Sequence, residues 1–145
     1  MSKKISKGIR KEVSDRANGY CEYCYALSDY SPNTFSIDHI IPQSLEGNHD
    51  ISNLALSCTN CNNHKYNKIE HFDAITNQNI PLFHPRTDYW LNHFQWSSDG
   101  QLIMGLTSKG RVTVELLRLN RQSNINLREL LLLVGLHPPN LYPAD

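Results

Sequence analysis

Four cysteines stand as two Cys-x2-Cys pairs, Cys21/Cys24 and Cys58/Cys61, and the segment between them carries Asp38-His39. Paired in this way they suit a tetrahedral thiolate cage for zinc, which takes soft ligands at about 2.3 Å. With sulfur filling all four positions, such a zinc staples a fold and does no chemistry of its own. In small metal domains its apparent binding energy of about 10–16 kcal/mol is folding energy. The competing reading of the same residues is four buried, reduced thiols.

A second group is oxygen-rich: Asp38, His39, Asn53 and Asn62. Hydrolysis of a phosphodiester needs a base for the attacking water and a cation for the charge that develops on phosphate and leaving oxygen. Histidine titrates near 6.5 and suits the first task. Aspartate and an amide oxygen are hard ligands that favour magnesium or manganese for the second. If Asp38 and His39 lie on a strand they face opposite ways, so one can hold a metal while the other meets a water. On a helix, Asn62, Lys65 and Tyr66 share a face, which could return a ligand and an ammonium group to that strand. Singly, each residue reads more simply, as a surface turn, a loop cap or a helix start. It is their order between the two cysteine pairs that points to chemistry.

Several elements must position these groups. Ile9, Val13 and Ala17 at helical spacing, stopped by Asn18-Gly19, predict a helix over 8–17. Thr34 to Ile41 is rich in strand formers and enters Asp38-His39, after which Pro42 ends the strand. Gln43 to Asn53 reads as a polar loop and Leu54 to Leu56 as a second strand. A helix near Cys61 to Ile69 follows, with Ser57 or Thr59 as its cap. Beyond Glu70, residues 77–85 read as a linker or ordered loop. His93–Trp96 and Leu102–Leu106 flank the hairpin turn Ser97-Ser98-Asp99-Gly100. Two helices follow, from Thr107 to Leu119 and from Asn126 to Val134. Trp90, Phe94 and Trp96 read as core. Arg111, Arg118 and Arg121 read as a solvated helix face that could also meet phosphate.

The bulk numbers bound the class. At 145 residues, 39% hydrophobic and mean hydropathy −0.49, the chain reads as one soluble α+β domain or a small domain with an extension. No apolar run is long enough to cross a membrane, and the basic start leads into no apolar signal region. A reducing cytoplasm is the expectation, and there paired cysteines favour metal over disulfides. Net charge is zero, but it is unevenly spread. Residues 1–16 hold Lys3, Lys4, Lys7, Arg10, Lys11 and Arg16 against Glu12 and Asp15, whereas residues 17–61 hold five acids and no Lys or Arg. A basic arm beside an acidic middle suits a metal-dependent phosphate enzyme, and it equally suits a solvated terminus.

Taken in order, Cys21-Glu-Tyr-Cys24, Ile37-Asp-His-Ile-Ile-Pro42, Gly47, Asn53-Leu54 and Cys58-Thr-Asn-Cys61-Asn62 with Lys65 resemble the HNH nucleases. The resemblance is to their zinc-bearing, four-cysteine branch of the ββα-metal superfamily, and it covers about residues 9 to 68. It implies a zinc-stapled ββα core over 1–72, with 73–145 as an extension packed on it. It further implies that His39 activates water, that Asp38 and Asn62 bind a catalytic magnesium or manganese ion, and that Asn53 positions the His39 loop. Lys65 and, from the basic arm, Arg16 become candidates for substrate phosphate. The final histidine of the family's name is replaced here by Asn62. His64, two residues on, turns roughly 200° away from Asn62 on a helix. His49, His71, His84, His93 and His137 have no comparable context and read as structural or surface residues.

The expected activity is metal-dependent hydrolysis of DNA, leaving a 5′ phosphate and a 3′ hydroxyl, with a homodimer as one route to cutting both strands. The rival readings are an inactive zinc-stabilised nucleic-acid-binding module, a nuclease acting on RNA, and a zinc-held protein-interaction domain.

Overall fold

The computed structural model describes residues 5–141; Lys3 and Lys4 of the basic arm lie outside them. The fold is α+β, with five α-helices and three two-stranded antiparallel sheets among the described residues. Helix α1 (Lys7–Arg16) starts where the Ser6 hydroxyl accepts from the Ile9 amide at 3.2 Å. It buries Val13 and stops at Asn18 and Gly19, both at positive φ.

Strands β1 (Ser36–His39) and β2 (Leu54–Ser57) pair with Asp38 opposite Ala55 and His39 opposite Leu54. Strand alternation therefore turns Asp38 inward and leaves His39 half-exposed. Every residue of β2 is buried, because its far edge is also covered. There the Glu22 amide donates to the Leu56 carbonyl at 2.9 Å and the Leu56 amide to the Glu22 carboxylate at 2.8 Å. The first cysteine pair is thus attached to β2 as though it were a third strand.

Helix α2 (Thr59–Lys65) is shorter and starts earlier than its sequence predicts. Its cap is neither Ser57 nor Thr59 but Cys58, whose sulfur accepts from the Cys61 amide at 3.4 Å. A thiolate at a helix N-terminus satisfies an orphan amide as a cap oxygen does. The second cysteine pair and the helix start are therefore one feature.

The segment expected as linker is a strand in part. Strands β3 (Glu70–Asp73) and β4 (Gln78–Pro81) form a hairpin whose turn is held by Asp73, which accepts from the Thr76 amide at 3.2 Å and the Thr76 hydroxyl at 2.8 Å. Most of its side chains are exposed, so there is no apolar alternation for a sequence pattern to reveal. A short helix α3 (Trp90–His93) runs into the hairpin of β5 (Phe94–Trp96) and β6 (Ile103–Gly105). Helices α4 (Ser108–Leu117) and α5 (Gln122–Leu133) complete the chain. The second of these starts earlier than the sequence predicts, and Arg128 within it is drawn inward. Its guanidinium donates to the carbonyls of Gln101 at 2.7 Å and Leu119 at 2.6 Å.

One buried cluster runs from Val13 through the cysteines and Leu54–Leu56 to Phe94, Val112 and Leu119. Trp90 is its hinge pin. Its ring lies 5.0 Å from Phe94, 5.1 Å from Trp96 and 5.2 Å from Tyr25, and its indole N–H donates to the Tyr23 carbonyl at 3.4 Å. Helix α4 meets the β5–β6 hairpin at Gly110, where a Cβ would stand 2.1 Å from the His93 carbonyl oxygen. Gly110→Ala must separate these elements, and overpacking against backbone costs about 3 kcal/mol. Urea unfolding at fixed zinc concentration should show that loss.

Candidate active site

The four cysteines are buried, and their sulfurs all lie within 4.8 Å of one another. Cys24 and Cys58 sulfurs are 3.7 Å apart. Ligands on opposite arms of a tetrahedron with bonds of about 2.3 Å are separated by about 3.8 Å, so the donor set fits zinc in type and spacing. The cage also has an outer partner that the sequence did not reveal. Arg121, between α4 and α5, donates to the Cys58 sulfur at 3.3 Å and approaches the Cys61 sulfur at 4.0 Å. Burial alone would lower the Arg121 pKa, but the neighbouring cysteines outweigh it and hold the guanidinium charged. A dianionic four-thiolate zinc centre would thereby gain a counter-charge from the C-terminal half of the chain.

Beneath the hairpin, the Asp38 carboxylate is 4% exposed and saturated on one side. Its Oδ2 accepts from the Tyr23 hydroxyl at 2.6 Å and stands 3.1 Å from the Lys65 ammonium; Oδ1 is 3.3 Å from the same ammonium. Burial first, then the Asp38 charge, pushes the Tyr23 pKa well up, so that hydroxyl stays a donor. Lys65 is itself 1% exposed and also donates to the Ile40 carbonyl at 2.9 Å. The ammonium expected on substrate phosphate is turned inward instead. Lys65 ends α2, so its stem lies in the helix–hairpin interface and its head finds a ready-made set of acceptors.

Above the hairpin, the loop after β1 is folded tightly back on itself. A Cβ at Gly47 would stand 1.6 Å from the Ile41 carbonyl oxygen, so only glycine fits. Asn53 is 7% exposed and uses its whole amide on this loop. Its oxygen accepts from the Ile41 amide at 2.9 Å, and its nitrogen donates to the carbonyls of Ile41 at 3.0 Å and Asn48 at 2.9 Å. The consequence is a contact absent from the sequence reading: His39 Nε2 lies 3.0 Å from His49 Nδ1, the rings edge-on with centroids 5.0 Å apart. Burial first, then His49, lowers the His39 pKa below its ordinary 6.5.

Asn62 is half-buried one helical turn before Lys65, and its side chain makes no hydrogen bond among the described residues. The Lys65 contact sets this helix over the end of β1 that carries Asp38. His64 points elsewhere, its Nδ1 2.9 Å from the Asn60 carbonyl. Arg16 is likewise engaged by the protein, donating to the carbonyls of Ile51 at 3.0 Å and Leu54 at 2.6 Å. Arg111 pairs with Asp73 at 3.0 Å. The remaining histidines serve local structure, as at His93, 2.7 Å from Thr107, and His137, 2.8 Å from the Gly100 carbonyl.

Residues 21–68 match the family model described as HNH endonuclease. This stretch is similar to that family, and its clustered cysteines match the four-cysteine zinc pattern. No curated protein and no solved structure matches the chain. No described helix is long and apolar enough to cross a membrane.

The Asp38–Lys65 pair gives the sharpest test of this geometry. Lys65→Met strands a buried carboxylate and should cost about 3–5 kcal/mol. Adding Asp38→Asn removes the stranded charge, so the double variant should be more stable than Lys65→Met alone. Denaturant titration of wild type and both variants at saturating zinc checks both expectations.

Proposed function

We propose that the HNH segment makes this chain a metal-dependent endonuclease that hydrolyses DNA phosphodiester bonds. The observation that carries the reading is the split of neighbouring residues across β1. His39 presents a half-exposed imidazole on one face, and Asp38 presents a carboxylate toward the Asn62 helix on the other. Base and metal ligand are thereby adjacent in sequence but separate in space.

In this reading His39 takes a proton from water as the water oxygen bonds to phosphorus. The bond from phosphorus to the 3′ oxygen breaks with its electron pair on that oxygen, which is then protonated from solvent. A 5′ phosphate and a 3′ hydroxyl remain. Asp38 Oδ1, with one contact at 3.3 Å, and the unengaged Asn62 amide oxygen are the hard donors that would hold magnesium or manganese. When bound, such an ion supplies positive charge for the phosphate and the departing oxygen. Asn53 keeps the His39 loop in place through its three hydrogen bonds. Lys65 is assigned to Asp38 and not to phosphate, and Arg16 to the Ile51 and Leu54 carbonyls it already holds. The four cysteines carry structural zinc in a reducing, cytoplasmic setting.

A second reading has its own observation. Asp38 already holds a buried ammonium, and a carboxylate so neutralised attracts a divalent ion less. An inactive nucleic-acid-binding module would need no more.

Supercoiled plasmid incubated with magnesium, manganese or EDTA separates these readings. Wild type should nick it only with metal, and zinc-loaded His39→Ala should be slower by about 100- to 10,000-fold. Failure of folded, zinc-loaded wild type on DNA and on RNA would leave the binding module; cleavage of RNA alone would change the substrate. Because burial and His49 hold the His39 pKa down, the neutral, active imidazole should persist through pH 7. Activity should then fall on acidification, with the midpoint of the acid limb below 6.5.

A further inference from the structure

We propose that His49 is a positioning residue for His39, fixing which of its ring nitrogens is free to take the water proton. This rests on the nuclease reading for its consequence, but the contact itself does not. His39 Nε2 has an acceptor-capable nitrogen, His49 Nδ1, at 3.0 Å. The Gln43 amide nitrogen, at 3.5 Å, is too distant to compete. His39 Nδ1 has no hydrogen-bond partner among the described residues.

A general base must offer a lone pair to solvent, and only Nδ1 does so here. The proton of neutral His39 then belongs on Nε2, donated to His49 Nδ1. His49 in turn carries its own proton on Nε2. This is the division of labour by which a second group holds an imidazole in one tautomer and one orientation. When Nδ1 takes the water proton, the resulting imidazolium keeps its Nε2–H bond to His49, and its new Nδ1–H faces solvent.

The loop is built to hold this contact. Asn53 binds the Asn48 carbonyl with the same nitrogen that binds Ile41, two residues after His39. On the other side of His49, the Asp50 amide donates to the Asn48 side chain at 3.1 Å, and the Asp50 carbonyl accepts from the Asn53 amide at 2.7 Å. Both histidines are therefore referred to one buried asparagine. Gly47 lets the backbone pass close enough to Ile41 to bring His49 back.

The test uses the full-length, zinc-loaded chain with His49→Ala and His49→Asn, whose Oδ1 can replace Nδ1 as acceptor. Long-range proton–nitrogen NMR at neutral pH without DNA reads the His39 tautomer directly. Wild type should show the Nε2–H form, His49→Ala should lose that preference, and His49→Asn should regain it. With manganese and plasmid, His49→Ala should lower kcat by about 10- to 100-fold at little change in KM, and His49→Asn should recover most of it. A wild-type His39 protonated on Nδ1, or a tautomer and kcat unchanged in folded His49→Ala, overturns the proposal. If wild type cuts no nucleic acid, the nuclease reading fails, and with it the consequence of His49's positioning for catalysis. The NMR arm then still decides the contact.

Discussion

Everything in this chain hangs on the cluster of four cysteine sulfurs. The cysteine pairs bracket the β1–β2 hairpin, and the second of them caps α2, so one metal would set hairpin and helix together. The distant half of the protein closes on the same point. Arg121 reaches the sulfurs of Cys58 and Cys61, and Arg128 reaches the Cys24 carbonyl at 3.4 Å. Buried cations are costly unless an opposite charge meets them. A four-thiolate zinc centre, carrying two net negative charges, would meet Arg121 at the sulfurs themselves. Extension and core are thus linked by charge as well as by the shared apolar cluster.

The hairpin presents His39 on one face and balances charge on the other. Below it, Tyr23 and Lys65 hold Asp38 in a dry place, where a lone carboxylate would be severely penalised. Above it, Asn53 holds a loop that brings two histidines together. The two arrangements meet at consecutive residues, Asp38 and His39. A shift of one residue in β1 would exchange their faces and destroy both. The buried cation has a price for the proposed activity, since it weakens the pull of Asp38 on a divalent ion. Substrate phosphate would then supply much of that ion's binding, as it commonly does for magnesium.

The elements next to the cysteines were legible because their signals are local. Val13 with Asn18-Gly19 marks α1, and Leu54 to Leu56 marks β2. The β3–β4 hairpin was not legible, since its residues are mostly exposed and its turn depends on the Asp73 side chain. Long side chains gave the least warning. Lys65, from its helix face and the HNH resemblance, and Arg16, from the basic arm, read as phosphate contacts, yet both find carbonyl acceptors in the protein. His49 reads in the sequence as a structural or surface histidine in a polar loop. The available signal was the loop's closure, with Gly47 able to approach backbone and Asn53 at its far end. Arg121 had no local signal, because its partners lie in the first half of the chain.

The most direct measurement is a crystal structure of the zinc-loaded protein soaked in manganese, with anomalous data collected at the absorption edges of both metals. The account predicts zinc among Cys21, Cys24, Cys58 and Cys61, and a separate manganese ion between Asp38 and Asn62. Zinc at the cysteines with no manganese at Asp38, even with a phosphodiester bound, would contradict the nuclease and leave a zinc-held binding module.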